Sequence, residues 1–275
     1  MSVISYESQE EVRDVSLANA DCVSLDGKPV LAGNQVDGNL VKVFTAPVLL
    51  LFRSPVKLVR GTVLLFPGGA YSILEMQKEG ENTVRFLNQQ GFDVALLEYH
   101  IASGLRTREL ALADALTAFR LLKANARALG IRDGSWGIMG YSAGGHLAAR
   151  TVQNLATNEQ PDNLILVYPA YLEETLSESV ASRVEPPLSP NRLFVLASSN
   201  DNSQWVGSSQ QYSEKWRKHG GLAHFHLLAD AGHGFGMEAE CAASTQQWPE
   251  LLKFFLLSGS SAATTSSNYT NPATQ

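Results

Sequence analysis

The sequence predicts an α/β fold with a mostly parallel central sheet and helices on both of its faces. From about residue 40 to residue 257, apolar runs of strand length alternate with amphipathic stretches of helix length. The 275 residues are 44% hydrophobic and 17% charged, which is enough apolar material to bury one large core. We therefore expect a single domain over 1–257. The tail over 258–275 is rich in Ser, Thr, Ala and Asn and is expected to be disordered.

The elements are predicted in order along the chain from hydrophobic period and from breaker residues. Two early strands are predicted at 40–44 and 48–52, with Pro47 in the break between them, and they are expected to be antiparallel. Helices are predicted at 76–90 and 107–129, each followed by a glycine. The other predicted elements are strands at 62–66, 94–97, 135–141, 164–168, 192–197 and 224–228, and helices at 203–219 and 248–257. The side chains expected to pack from the last helix against the sheet are Leu251, Phe254 and Phe255.

The apolar strand at 135–141 runs into a turn with the pattern G-x-S-x-G, formed by Gly140, Ser142 and Gly144. A serine on a sharp turn between a strand and a helix needs almost no side chain two positions before and two positions after it. A plain helix cap would not explain glycine on both sides. We therefore interpret Ser142 as a nucleophile whose hydroxyl is exposed at the end of the sheet.

A base and an acid are predicted after the two strands that follow. Asp201 lies in a polar loop after the strand at 192–197, and His233 stands between two glycines in the loop after the strand at 224–228. The residues required for an activated serine thus occur in the order Ser142, Asp201, His233. Asp230 is the rival acid, but it shares the loop of the histidine and would have to fold back sharply. His146, one helical turn beyond Ser142, is expected to pack beneath the site.

An oxyanion-binding turn is predicted directly after the strand at 62–66. The segment 67–71 contains two glycines and little side-chain bulk, so its backbone N–H groups can point at a ligand. The candidate donors are the N–H of Gly69 or Ala70, together with the N–H of Ala143, the residue after the serine.

Composition and charge exclude several classes of function. The net charge is −6 and no cluster of Lys and Arg occurs, which argues against binding to nucleic acid. Residues 1–20 lack the basic and apolar regions of a secretory signal, and no apolar run is long enough to span a membrane. We therefore expect a cytoplasmic protein without a membrane partner. No metal-ligand spacing is found, and no cofactor is expected.

Residues from about 40 to 257 resemble the α/β hydrolases of the acetyl xylan esterase and feruloyl-esterase-like group, relatives of the lipases and prolyl oligopeptidases. The segments that carry the resemblance are 66–71, 114–122, 140–146 and 232–235. The chain order of the three candidate residues is also that of this fold. Two departures concern Pro67, where the family often has histidine, and Asn202-Ser203 after Asp201, where it often has Val-Pro. The second departure weakens the local support for Asp201.

Five aromatic residues flank the candidate turns and could line an acyl or sugar site, although aromatic residues beside such a turn are often core. They are Tyr71, Tyr141, Tyr171, Trp205 and Phe235. The acidic, proline-containing segment 172–190 falls where this fold accepts insertions, and it is predicted to form at most a small lid.

The resemblance implies a serine carboxylesterase that forms an acyl-enzyme and acts on short-chain esters. Its expected partner is a small-molecule ester, with acetylated sugars or xylo-oligosaccharides as the leading substrates. Two alternatives stay open: a small serine peptidase of the prolyl-oligopeptidase type, and a ligand-binding protein that has kept the hydrolase fold. A homo-oligomer is also open, since no feature of the sequence identifies an interface.

Overall fold

The computed structural model describes residues 20–30, 34, 36–42, 44–102, 106–173, 183–188, 191–238 and 243–258. In chain order the strands are β1 (Asp21–Ser24), β2 (Val36–Asp37), β3 (Leu40–Val41), β4 (Val48–Phe52), β5 (Gly61–Phe66), β6 (Leu74–Glu75), β7 (Phe92–Glu98), β8 (Ser135–Tyr141), β9 (Asn163–Val167), β10 (Arg192–Ser198) and β11 (Leu222–Leu228). The α-helices are α1 (Asn82–Gln89), α2 (Thr107–Asn125), α3 (Ala143–Asn154), α4 (Ser203–Lys218) and α5 (Trp248–Ser258). A five-residue π-helical turn, Gln77–Glu81, leads into α1.

Eight strands form the central sheet in the order β1-β4-β7-β5-β8-β9-β10-β11. The pairs from β7 to β11 are parallel, whereas β4 pairs antiparallel with both β1 and β7. Every residue of β4, β5 and β7 is buried, as expected for strands of a sheet that helices cover. The predicted fold class, a mostly parallel sheet flanked by helices, is thus confirmed.

The strands β2, β3 and β6 form a separate small sheet. The predicted strand at 40–44 is therefore wrong in length and in place, since only Leu40–Val41 is a strand and it pairs outside the central sheet. The first strand, β1, was not predicted at all. It pairs with β4 along its full length and gives the sheet an antiparallel edge.

Two predicted helices change at their ends. The predicted helix 76–90 begins as the π-helical turn, and the predicted helix 107–129 ends as α2 at Asn125. Beyond α2 the chain turns, because Gly130 has φ +66° and the N–H of Ile131 bonds to the carbonyl of Ala126.

The predicted packing of the last helix is wrong for Phe254. In α5 the buried residues are Trp248, Leu252, Phe255 and Leu256, whose spacing of four, three and one places them on one face. Phe254 lies on the other face and is 67% exposed. The predicted lid falls largely on 174–182 and 189–190 and the predicted tail on 259–275, and these ranges lie outside the described residues.

Candidate active site

Ser142 occupies a strained turn between β8 and α3. Its φ of 50° and ψ of −116° lie in a region that residues with a side chain rarely adopt. A Cβ added at Gly140 would lie 2.1 Å from the carbonyl oxygen of Gly144, and one added at Gly144 would lie 2.3 Å from that of Phe66. The glycines of the G-x-S-x-G pattern are therefore required by close backbone approach on both sides of the serine.

His233 and Asp201 form a chain of hydrogen bonds with this serine. The Oγ of Ser142 lies 2.8 Å from Nε2 of His233, and Nδ1 of the same ring lies 2.7 Å from Oδ2 of Asp201. The Asp201 side chain is only 5% exposed, whereas that of His233 is 30% exposed. Asp230 is hydrogen-bonded to Ser244 instead. The structure thus brings together the three residues that the sequence singled out, with Asp201 rather than Asp230 beside the histidine.

Two residues that sequence reasoning missed hold the histidine loop in place. The hydroxyl oxygen of Ser198 accepts from the N–H groups of Ala231 and Gly232, and Oδ1 of Asn200 also accepts from Gly232. Ser198 in turn donates its hydroxyl to Asn200. Ser198 ends β10 and Asn200 follows it, so both stand just before Asp201 in the sequence. That position was the signal by which they could have been found.

The turn after β5, which contains the candidate oxyanion donors, has an unusual backbone conformation. Gly69, Ala70 and Tyr71 have φ values of 132°, 53° and 60°, and two of these residues carry side chains that disfavour this region. A Cβ added at Gly68 would lie 3.0 Å from Cβ of Ser142, so the turn lies directly against the serine. Among the described residues, no acceptor bonds to the N–H groups of Gly69, Ala70 and Ala143. These three groups are available to bind a negatively charged oxygen.

Of the five aromatic residues proposed to line the site, three have buried side chains. Tyr141 is fully buried and its hydroxyl lies 2.7 Å from Oγ1 of Thr83, while Phe235 is 4% exposed and packs against Trp248. Tyr71 is 3% exposed. The rings of these three residues are packed in the core, which is one of the two possibilities that the sequence left open, and their contact with substrate stays a prediction.

The buried ring of His146 supports the turn from below, as its position in α3 predicted. Its Nδ1 lies 2.7 Å from the hydroxyl of Tyr71, and it is 2% exposed. Burial lowers the pKa of His146 well below its usual value, helped by the positive charges of Arg150 and Arg108. A neutral imidazole is thus fixed beneath the turn and is shielded from solvent.

Trp205 and Tyr171 lie in front of the site. The Trp205 ring is 4.8 Å from that of His233 and 5.6 Å from that of Tyr171. They line a cleft of about 390 Å³ whose other walls are mostly polar. The polar side chains of the cleft are Glu173, Ser203, Gln204, Ser208 and Gln211.

Comparison with known proteins places the chain in a family. Residues 63–202, just over half of the chain, match the family described as the α/β hydrolase fold. The chain belongs to the α/β-hydrolase fold family. The matched range includes Ser142 and Asp201 and ends before His233.

One relative is the acetylxylan esterase of Xylanibacter ruminicola, to which the α/β-hydrolase chain is 27% identical over 194 residues. The match covers 62% of this chain but only 40% of the relative, so the chain spans less than half of that protein's length.

Solved structures share the fold at lower identity. The acetyl ester-xyloside bifunctional hydrolase of Caldicellulosiruptor lactoaceticus superposes with a TM-score of 0.68 at 23% identity, covering 78% of this chain and 89% of that one. Esterase 2 of Thermogutta terrifontis in its apo form gives a TM-score of 0.69 at 19% identity, covering 88% and 96%. These likenesses establish the α/β-hydrolase fold.

Neither a membrane-spanning helix nor a metal-binding cluster is found in the described residues. No helix in the described ranges is long and apolar enough to cross a membrane. Within the same part of the chain, no three or more His, Cys, Asp or Glu side chains gather where they could hold a metal ion.

Proposed function

We propose that this chain is a serine carboxylesterase that hydrolyses short-chain acyl esters and deacetylates acetylated sugars or xylo-oligosaccharides. The observation that carries the proposal is the hydrogen-bonded chain from Asp201 through His233 to Ser142, at a turn flanked by unoccupied backbone N–H groups. A positioned nucleophile, its base and an oxyanion site are together what acyl transfer requires.

In the first half of the reaction, Oγ of Ser142 attacks the ester carbonyl carbon while Nε2 of His233 takes the hydroxyl proton. The carbonyl oxygen becomes an oxyanion and accepts hydrogen bonds from the N–H of Ala143 and from that of Gly69 or Ala70. His233 then returns the proton to the alcohol oxygen as the bond between carbon and that oxygen breaks. Asp201 keeps Nδ1 protonated, so that Nε2 can act as the base.

In the second half, water attacks the acyl-enzyme. Nε2 of His233 removes a proton from the water and returns it to Oγ of Ser142 as the acid leaves. The buried Asp201 carboxylate stabilises the imidazolium each time it forms. The proposed cycle needs no cofactor.

The cleft that Trp205 and Tyr171 line beside His233 is suited to a sugar as the alcohol portion of the ester. These two rings give it aromatic surface, and Gln204 and Gln211 supply donors and acceptors suited to hydroxyl groups. The name of the Xylanibacter ruminicola relative, an acetylxylan esterase, is consistent with this choice. The cytoplasmic location stays a prediction, and a homo-oligomer stays open.

The test compares hydrolysis of p-nitrophenyl esters from acetate to octanoate, and of acetylated xylo-oligosaccharides, by the native chain and by Ser142→Ala. Turnover selective for acetate that is lost in the variant is the expected result, because no other group supplies the nucleophile. Ser244→Ala removes a hydroxyl outside the hydrogen-bonded chain and should retain activity. If a folded native chain turns over no ester, the carboxylesterase proposal is wrong, and the peptidase or ligand-binding alternative is favoured.

A further inference from the structure

Glu79 is a buried acid that the proposed reaction does not use. It lies in the π-helical turn Gln77–Glu81 and is 3% exposed. Its Oε2 accepts the N–H of Gly68 at 2.6 Å, and its Oε1 accepts the hydroxyl of Tyr168 at 2.8 Å. An ionised carboxylate is rarely buried unless such donors compensate for the loss of water.

Each of these two partners belongs to a different wall of the active site. Gly68 immediately precedes the candidate oxyanion donors and packs against Ser142. Tyr168 follows β9, and its ring centroid lies 5.0 Å from that of His233. The hydroxyl oxygen of Tyr168 also accepts the N–H of Gly236, three residues after the histidine, at 2.9 Å. One carboxylate therefore joins the oxyanion turn to the histidine loop.

The backbone around Glu79 strengthens this connection. The N–H of Met237 donates to the carbonyl of Lys78 at 2.8 Å, and Nδ2 of Asn82 donates to the carbonyl of Met237 at 2.9 Å. A Cβ added at Gly236 would lie 2.7 Å from the carbonyl oxygen of Lys78. The π-helical turn and the histidine loop are thus in direct contact, with no room for another side chain between their backbones.

The direction of the hydrogen bonds explains why a carboxylate is needed. Gly236 donates to Tyr168, Tyr168 donates to Glu79, and Gly68 donates to the other oxygen of Glu79. An ionised carboxylate only accepts hydrogen bonds, so it can accept from donors on both sides. Glutamine has the same shape, but one of its two ends is a donor and would face a donor.

We propose that Glu79 is a positioning residue, whose carboxylate holds the oxyanion turn at a fixed place relative to Ser142 and the His233 loop. The inference rests on the proposed esterase function. Glu79 acts through its hydrogen bonds to Gly68 and Tyr168, and it does not itself touch the substrate. The geometry of the N–H groups at Gly69 and Ala70, which matters most in the transition state, depends on it.

The positioning role of Glu79 depends on pH, because only the ionised carboxylate accepts hydrogen bonds from both sides. Burial raises the pKa of Glu79 to about 7, while the hydrogen bonds from Tyr168 and Gly68 oppose that rise. Of the charged groups nearby, Glu75 raises this pKa further and Lys78 lowers it. The phenols of Tyr99, Tyr141 and Tyr168 also face the carboxyl, and burial keeps their own pKa values far above neutral. The positioning carboxylate is therefore lost as the pH falls through about 7.

The experiment measures kcat, KM and their pH profiles on p-nitrophenyl acetate for the native chain and for Glu79→Gln. We expect kcat to fall about 10- to 100-fold with KM changed less than about threefold, because the lost interaction acts in the transition state. Besides the ionisation of the catalytic base, which both proteins share, the native profile should show a second ionisation near pH 7 that is absent from the variant. Tyr168→Phe leaves one carboxylate oxygen without its donor and should shift kcat in the same direction by a smaller factor.

The matched control is Glu98→Gln. Glu98 is also buried and accepts two hydrogen bonds, from the N–H and Nδ2 of Asn34, and among the described residues it makes no hydrogen bond to the catalytic turns. This variant should keep the kcat and the pH profile of the native chain at a temperature where it is folded. If Glu79→Gln fails to fold, the Tyr168→Phe result decides alone, and an unchanged kcat there overturns the inference.

A fluorophosphonate probe separates failure of this inference from failure of the proposed function. Oγ of Ser142 attacks the phosphorus and fluoride leaves, so the rate of labelling reports on the nucleophile and the oxyanion turn without ester turnover. If the native chain is labelled and Glu79→Gln is labelled at the same rate with the same pH profile, only the positioning role is wrong. If the native chain neither cleaves an ester nor reacts with the probe, both proposals are wrong.

Discussion

The candidate site combines residues that the sequence could identify with others that it could not. Ser142 and His233 stand out because glycines flank each of them, and Asp201 because it follows the preceding strand. Glu79 carries no such signal, since a charged residue in an amphipathic stretch usually faces water. The direction of a side chain is equally hidden, so the sequence could not distinguish a core position for Tyr141, which is buried, from a position at the substrate.

The role of Asp201 as the acid can be tested with a matched pair of Asp→Asn substitutions, one at Asp201 and one at its rival Asp230. Asp201→Asn keeps the shape of the side chain but presents an amide to Nδ1 of His233, which disfavours the tautomer that leaves Nε2 free as a base. We expect kcat for ester hydrolysis to fall about 10³- to 10⁴-fold. Asp230→Asn should stay within about threefold of the native chain, because Asp230 bonds to Ser244 instead. A larger loss in Asp230→Asn than in Asp201→Asn would reverse the assignment.

Among the secondary-structure elements, the ends of the strands were predicted better than the buried faces of the helices. The strands of the central sheet are uninterrupted apolar runs bounded by breakers, and their ends were correct to within about two residues for β5, β7 and β10. In α5, the residues from Leu251 to Leu257 are all apolar except Lys253, so no period marks the buried face. The small sheet of β2, β3 and β6 has two residues a strand, which is too short for any pattern.

Two glycines near the site should respond to alanine in opposite ways. Gly144→Ala places a Cβ 2.3 Å and 2.4 Å from the carbonyl oxygens of Phe66 and Pro67, so β5 and α3 must separate. We expect a loss of about 3 kcal/mol in the free energy of unfolding, together with a loss of activity. Gly207→Ala, within α4, meets no atom within 4 Å and should stabilise the chain by about 0.5 to 1 kcal/mol. Urea denaturation of both variants measures the two changes, and equal effects would contradict the packing described.

For the whole molecule, the sheet gathers at one end the loops that follow β5, β8, β10 and β11. The alternation of strands and helices predicts that these strands are parallel and hence that their following loops share an edge. The order of the strands is not contained in local pattern, because it depends on contacts between distant segments. The pairing of β1 with β4 and the place of β5 between β7 and β8 could therefore only come from the structure.

The buried acid should also change the stability of the whole molecule with pH. Because burial raises the pKa of Glu79 from 4.5 to about 7, the folded chain binds a proton more tightly than the unfolded chain. This group therefore lowers the free energy of unfolding as the pH rises from about 4.5 to about 7, by about 3 kcal/mol in total.

Glu79→Gln lacks this titration, so its stability relative to the native chain should increase between pH 5 and pH 8. Urea denaturation at the two pH values measures the difference. An identical pH dependence in Glu79→Gln and the native chain would show that Glu79 does not titrate in this range.

The spacing of Ser142 and His233 along the chain affects what happens during synthesis. The two residues are 91 positions apart, and β9, β10 and β11 all lie between them. At about 5–20 residues per second, the ribosome exposes the serine roughly 5–20 seconds before the histidine is added. Throughout that interval the serine lacks its base and is an ordinary alcohol. The hydrogen bond that would activate Ser142 can therefore form only after most of the sheet has been synthesised.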